Sequence, residues 1–161
     1  MMNWKKLGLI YPINTNKIRH HKLLTHAANP VAIKIGDNSI YRVFYSGRDA
    51  YNRSSIGAVD IDFENLKIVK DFYNPFFVFK ENSPFFSHGV SIGDFQEIND
   101  TKYIFFMGWQ IPPNSHWRGD IGRLKITNKN SLKLVDENPI LKIDQIDQIS
   151  FSYPSLIKHN G

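Results

Sequence analysis

The chain has 161 residues, of which 42% are hydrophobic and 14% aromatic, enough to form a buried core and to exclude wholesale disorder. It contains no cysteine, which excludes disulfides, thiolate metal sites and a cysteine nucleophile. No apolar run approaches the ~18 residues of a membrane helix, and the apolar stretch at 7–11 is too short for a signal peptide. We therefore expect a cytoplasmic protein that does not engage a membrane.

The net charge of +5 raises the question of a nucleic-acid partner. Lys and Arg are scattered along the chain rather than gathered into a stripe, and the densest groups are Lys5-Lys6 and the segment 17–22. No aromatic RNA-binding motif or helix-turn-helix pattern is present. We expect no nucleic-acid partner, and contact of segment 17–22 with a polyanion remains the alternative.

Short apolar and aromatic runs, separated by Asn, Asp, Gly and Pro, predict β-strands and require no helix. Turns are predicted at residues 36–38 and at Asn99-Asp100, because these residue types tolerate positive φ. Asp120 follows Gly119 and is interpreted as a turn residue. The eight predicted strands are residues 31–35, 40–45, 55–61, 67–70, 90–98, 103–109, 120–126 and 132–135.

The pattern of four strands occurs twice. Three landmarks recur at offsets of 61, 65 and 64 residues: 46–48 with 107–109, 56–57 with 121–122, and 74–75 with 138–139. A third unit opens at 153–158 and runs into Asn160-Gly161, a strong hairpin signal. A four-stranded repeat is typical of a β-propeller blade, and a β-sandwich with similar hairpins is the alternative.

We therefore predict an all-β fold in which about two four-stranded blades and the start of a third form an incomplete β-propeller. The single domain divides into an N-terminal segment (1–28), blade one (29–75), blade two (86–139) and the start of blade three (150–161).

Several motifs, taken in this order, carry a resemblance to a known family. They are WKKLGLI at 4–10, THAANP at 25–30, VFYSGRD at 43–49, NRSSIG at 52–57, HGV at 88–90, FMGW at 106–109 and IG at 121–122. The chain resembles the N-terminal part of glycosidase-like five-bladed β-propeller proteins, distant relatives of glycoside hydrolase families 32, 43 and 68. This resemblance implies that a carbohydrate, such as a polysaccharide or its precursor, is the ligand.

The related hydrolases place one carboxylate at the entry of each of the first three blades. Asn29 stands where the first of these would be Asp, and neither 86–90 nor 150–154 contains an acid. An amide cannot act as base or nucleophile, whereas glycoside hydrolysis needs two carboxyl groups. Three interpretations stay open: a glycoside hydrolase or glycosyl-transferring enzyme, a non-catalytic sugar-binding pseudoenzyme, or a structural piece completed by a partner chain or by copies of itself.

Asp49 and Asp94 are the candidate catalytic carboxylates. Asp49 follows Arg48 at the end of a strand, where the two form either an Arg-Asp grip on sugar hydroxyls or a strand-end ion pair. Asp94 lies within an apolar strand, so it is either a site residue or a structural hydrogen-bonding hub.

Seven residues are candidates for substrate binding. The two histidines precede the first strand of each blade, where they donate to a sugar or stabilise a turn. The tryptophan stacks on a sugar ring or fills the core, and the loop arginines reach an anionic sugar or stay solvated. No metal-ligand spacing or phosphate-binding loop is present, so we predict no metal or cofactor. The candidates are His26, Asn29, Arg48, Arg53, His88, Trp109 and Arg118.

Overall fold

The computed structural model describes residues 4–13, 17–36, 38–127, 131–157 and 159. These residues form eight strands in one sheet and no helix, which confirms the all-β prediction. The predicted turn residue Asp37 and the predicted hairpin residues Asn160 and Gly161 lie outside the described residues. The strands are β1 (Thr25–Lys34), β2 (Ile40–Arg48), β3 (Ser54–Asp62), β4 (Lys67–Asp71), β5 (Gly89–Ile98), β6 (Thr101–Gln110), β7 (Arg118–Ile126) and β8 (Leu132–Leu134).

The strands form two antiparallel meanders of four. The first meander is β1 to β4 and the second is β5 to β8, with consecutive strands paired in each. A single parallel pairing joins them, between Ser54 at the start of β3 and Gly89 at the start of β5. Gly89 has φ +147, and a Cβ there would lie 2.4 Å from the Ser54 hydroxyl, so this close approach requires glycine.

The turn at Asn99-Asp100 is as predicted, Gly36 of the other predicted turn also has positive φ (68°), and the start of β1 is irregular. Asn99 and Asp100 both have positive φ (48° and 59°) and connect β5 to β6 as a two-residue hairpin. His26 and Asn29 also have positive φ (62° and 52°), and β1 shifts register against β2 in this region. β1 begins at Thr25, so the expected limit at residue 28 falls inside a strand.

The main hydrophobic core lies between the two meanders. Phe44 and Ile56 from the first meander are buried in the same cluster as Phe86, Ile92 and Phe106 around the second. Burying each such side chain contributes about 1.5–3 kcal/mol. The two meanders therefore fold against each other rather than as independent units.

The N-terminal segment is attached to the first meander by a polar network. The Arg19 guanidinium donates to the Tyr11 hydroxyl (2.6 Å), which donates to Asp71 (2.9 Å), and Lys17 pairs with Asp71. Burial, followed by the hydrogen bond to Tyr45, raises the pKa of Tyr11 far above its ordinary value. Two cations of the basic segment are therefore engaged within the fold, which weakens the polyanion alternative.

The sequence repeat corresponds to a repeat in space. Tyr45 pairs with Gly57 across β2 and β3, and Phe106 pairs with Gly122 across β6 and β7. In both places the aromatic ring lies over the glycine, where a Cβ would come within 2.5 Å and 2.6 Å of the ring. Two glycines at an offset of 65 residues thus serve the same packing role.

The connection that follows each third strand is also repeated. The backbone of Ile56 in β3 forms an isolated bridge with Phe77, and Ile121 in β7 forms the same bridge with Leu141. The N–H donates to the partner carbonyl at 2.8 Å in both cases. The chain after each meander therefore returns to the same place on its third strand.

A second joint resembles the one between the meanders. Gly119, at the start of β7, corresponds to Ser54 at the start of β3. Its carbonyl accepts from the Phe151 N–H (2.8 Å) and its own N–H donates to the Ser150 hydroxyl (2.8 Å). Residues 150–151 thus lie beside β7 much as the start of β5 lies beside β3.

Candidate functional site

A cavity of about 210 Å³ opens at one end of the sheet, where β2 and β6 end and β3 and β5 begin. Antiparallel pairing places the end of β2 beside the start of β3 and the end of β6 beside the start of β5, and the parallel pairing of Ser54 with Gly89 joins the two meanders here. Three of the predicted binding residues, Arg48, His88 and Trp109, lie in its wall. The full lining is Arg48, Asn52, Ser54, His88, Ser91, Trp109, Ile111 and Trp117.

Two tryptophans form the aromatic side of the cavity. The Trp109 indole N–H donates to the Ser91 hydroxyl at 2.8 Å, which fixes the orientation of the ring. The Trp117 ring lies 4.5 Å from it, centroid to centroid, at an angle of 49°. Trp117 is 40% exposed, so the pair presents an apolar surface to solvent at the mouth of the cavity.

Arg48 is the last residue of β2 and occupies the position that Trp109 occupies in β6. Its carbonyl accepts from the Leu24 N–H (2.8 Å), so its backbone is held. Its side chain is exposed and makes no hydrogen bond or ion pair with any residue that the structure describes. The guanidinium is therefore available to a ligand in the cavity.

His88 is held by its backbone and is half-buried. Its N–H donates to the Trp109 carbonyl at 2.9 Å. Burial, and then the positive charge of Arg53, lowers the pKa of His88 below its ordinary value, and the Asp49 charge opposes this only in part. The ring is consequently neutral at neutral pH, with one donor and one acceptor nitrogen for a ligand.

Asp49 lies beside this region but has its own partners. One oxygen accepts from the backbone N–H groups of Tyr51 and Arg53, and the other from the Arg53 side chain, all at 2.9 Å. Burial alone would raise the pKa of Asp49, but these hydrogen bonds outweigh it and lower the pKa below its ordinary value. The expected pairing of Asp49 with Arg48 is wrong, because Arg53 takes that role.

Asp94 follows a bulge in β5 and is away from the cavity. Its carboxylate accepts from the N–H of Phe95 (2.7 Å), the side chain of Gln96 (3.1 Å) and the N–H of Leu156 (2.7 Å). Burial opposes ionisation, yet these donors, Leu156 first, lower the pKa of Asp94 overall. Of the two sequence interpretations, these are the contacts of a hydrogen-bonding hub.

Arg118 is tied to Asp120. Its Nε and Nη2 atoms donate to one oxygen of Asp120 at 2.8 Å and 2.7 Å, and Gln110 donates to the same oxygen at 3.0 Å. Asp120 is fully buried within β7, so its interpretation as a turn residue is wrong. Arg118 does not line the cavity.

The remaining predicted binding residues lie outside the cavity lining. His26 is exposed, with Nδ1 at 2.9 Å from the Thr25 hydroxyl. Asn29 is half-buried in the irregular part of β1. Arg53 bridges Asp49 and Glu81 and stacks on Phe79.

Sequence reasoning missed five lining residues: Asn52, Ser54, Ser91, Ile111 and Trp117. Four of them lie outside the predicted strands but within three residues of a strand end, and were within reach of the same argument that singled out Arg48 and Trp109. Ser91 is different, because it lies inside the predicted strand 90–98, and only the structure shows that it lines the cavity and accepts from the Trp109 indole.

The described residues contain neither a cluster of metal-ligating side chains nor a membrane-spanning helix. No group of three or more His, Asp or Glu side chains is arranged there to hold a metal ion. Across these same ranges, no helix is long and apolar enough to cross a membrane.

Comparison with known proteins gives relatives whose names state no activity. No protein-family model matches the chain. The chain is similar to two curated proteins from strains of Mycobacterium tuberculosis, uncharacterized protein MT1551 and uncharacterized protein Rv1502. Each is 32% identical over 161 residues, which covers 99% of this chain and 52% of the relative. The chain thus spans about half the length of the curated relatives it matches.

Proposed function

We propose that the chain supplies two blades and the opening of a third in a glycosidase-like β-propeller, and that it binds a carbohydrate in the cavity between the two meanders. The equivalent packing at Gly57 and Gly122 supports two like blades. The joint at Gly119 and Phe151, which resembles the one at Ser54 and Gly89, supports a third. Relatives of about twice the length leave room for the rest of a five-bladed ring.

The observation that carries the carbohydrate proposal is the chemistry of the cavity wall. Trp109 and Trp117 offer apolar ring faces of the kind that stack on sugar rings. The polar part of the wall consists of Arg48, His88 and Ser54, whose side chains can form hydrogen bonds with the hydroxyl groups of a sugar. The volume of about 210 Å³ suits one sugar ring rather than a long oligosaccharide.

Binding without hydrolysis is the form of this function that the carboxylates favour. A glycosidase needs one carboxyl whose pKa is raised, to act as acid, beside one that stays ionised. Asp49 and Asp94 both have lowered pKa values and are occupied by donors within the fold. Among the described residues, no Asp or Glu lines the cavity. We therefore favour the sugar-binding pseudoenzyme over the hydrolase.

The structural alternative, in which a partner chain or a second copy covers this protein, has one observation in its favour. Three apolar side chains near the C-terminal end of the described part are strongly exposed: Ile146 (89%), Ile149 (68%) and Ile157 (89%). Each of these side chains would lose its exposure if another blade packed against this part of the chain. Light scattering that gives a strict monomer, together with a cooperative melt, would exclude completion by a partner.

The proposed function is tested by a glycan array probed with the wild-type protein, Trp109→Ala and Trp4→Ala. Trp4 is 90% exposed and lies outside the cavity, so it is the matched control. We expect wild type and Trp4→Ala to bind the same glycans and Trp109→Ala to lose them. A parallel panel of chromogenic glycosides should show no turnover. If wild type does turn over a glycoside and Asp49→Asn abolishes that turnover, the protein is a hydrolase rather than a pseudoenzyme. The absence of any glycan binding would overturn the proposal.

A further inference from the structure

The cavity contains a positive charge that the fold does not neutralise. Arg48 has no hydrogen-bond or ion-pair partner among the described residues, and no carboxylate in that part of the chain lines the cavity. We propose, on the basis of the carbohydrate function above, that the bound sugar carries an anionic group, a carboxylate or a phosphate, which Arg48 holds.

Two other arginines of the sheet differ from Arg48 in having a carboxylate partner. Arg42 donates to both oxygens of Asp60 at 2.8 Å and 2.9 Å. Arg118 donates twice to Asp120. Each of these guanidinium groups has a carboxylate supplied by the protein, and Arg48 does not.

The carboxylate nearest to Arg48 in the sequence, that of Asp49, is paired with other residues. Asp49 follows Arg48 directly, but no hydrogen bond or ion pair joins the two side chains. Arg53 binds the Asp49 carboxylate at 2.9 Å, and Lys22 lies 3.8 Å from the same oxygen. Arg53 is in turn paired with both Asp49 and Glu81, so Arg48 is the lining cation that no carboxylate of the described residues neutralises.

The chemistry of the group indicates which anions fit. A guanidinium presents a planar fork of N–H donors that matches the two oxygens of a carboxylate or phosphate. Ser54 adds a hydroxyl donor beside it, and Trp109 provides the face on which the sugar ring stacks. An acidic sugar satisfies both sides of the cavity at once, whereas a neutral sugar leaves the Arg48 charge unpaired.

The test uses an array of matched pairs: each uronic-acid glycan beside the corresponding neutral hexose, and each phosphorylated glycan beside its unphosphorylated form. The best pair is then titrated by calorimetry against wild type, Arg48→Gln and Lys125→Gln. Lys125 is exposed and lies at the opposite end of β7, so its variant has the same net charge as Arg48→Gln with the cavity intact. The two kinds of pair distinguish a carboxylate from a phosphate ligand.

We expect the acidic member to bind about tenfold to a hundredfold more tightly than the neutral one. Arg48→Gln should abolish that preference while retaining affinity for the neutral sugar, and Lys125→Gln should keep it. Equal binding of acidic and neutral members, or an unchanged preference in Arg48→Gln, would overturn this inference and leave carbohydrate binding standing. A lack of binding to every glycan would overturn both.

Discussion

The ion pair between Arg118 and Asp120 offers a sharp test of whether Arg118 serves the fold or a ligand. In Arg118→Met, the fully buried Asp120 carboxylate loses two donors at 2.8 Å and 2.7 Å but keeps those of Gln110 and the Ile143 N–H. Removal of one partner of a buried pair costs about 3–5 kcal/mol. The Arg118 side chain is 29% exposed, so solvent reduces this, and we expect a loss of about 2–3 kcal/mol.

Urea denaturation followed by tryptophan fluorescence measures this loss. Arg123→Met is the matched control, because Arg123 pairs with Asp136 and the two side chains are 35% and 44% exposed. That control should cost less than about 1 kcal/mol. The double variant Arg118→Met with Asp120→Asn should lose less free energy of unfolding than the sum of the two single variants. The difference should be about 1–3 kcal/mol, since the residues act as a pair. Equal, small losses in Arg118→Met and Arg123→Met would refute the structural role and return Arg118 to the ligand candidates.

Three further predictions concern the repeat, the pH dependence of stability and the segment 151–157 that Asp94 holds. Gly57→Ala and Gly122→Ala should each cost about 1–3 kcal/mol in urea denaturation, because the added methyl overlaps an aromatic ring in both meanders. The lowered pKa of His88 means that the unfolded chain binds its proton more tightly, so stability should rise as the pH rises from the folded pKa to about 6.5, and His88→Gln should flatten that rise. Asp94→Ala should accelerate amide exchange in 151–157, because the carboxylate holds that segment.

Each of these predictions has a contrary result. A loss at only one of Gly57 and Gly122 would contradict the equivalence of the two meanders. An unaltered pH curve in His88→Gln would show that the ring is not desolvated in the folded state. Unchanged amide exchange in 151–157 after Asp94→Ala would show that this carboxylate does not stabilise the segment.

Much of the fold could be predicted from the sequence because hairpin formation is local. Alternating apolar residues and the Asn99-Asp100 turn define β5 and β6 within about twenty residues of chain. The start of β1 could not be predicted in this way. Its first residues contain Pro30 and two residues with positive φ, and they become a strand only through pairing with β2.

The site was less predictable because its contacts join distant parts of the chain. The repeat indicated that Arg48 and Trp109 end equivalent strands, and both line the cavity. The pairing of Asp94 with Leu156 spans 62 residues, so no local pattern reveals it. Asp120 follows a glycine and looks like a turn residue, but pairing with Gly108 and the charge of Arg118 hold it in a buried strand.

The most direct test of the proposed sugar site is a two-dimensional NMR titration of the ¹⁵N-labelled protein with the glycan that binds best. The largest shifts should occur at the Trp109 indole N–H and at the backbone amides of Ser54, His88 and Ser91, which surround the cavity. The Trp4 indole N–H, which lies outside it, should not move. Shifts confined to the N-terminal network around Tyr11 and Asp71, with the Trp109 indole unchanged, would contradict the assignment of this cavity as the carbohydrate site.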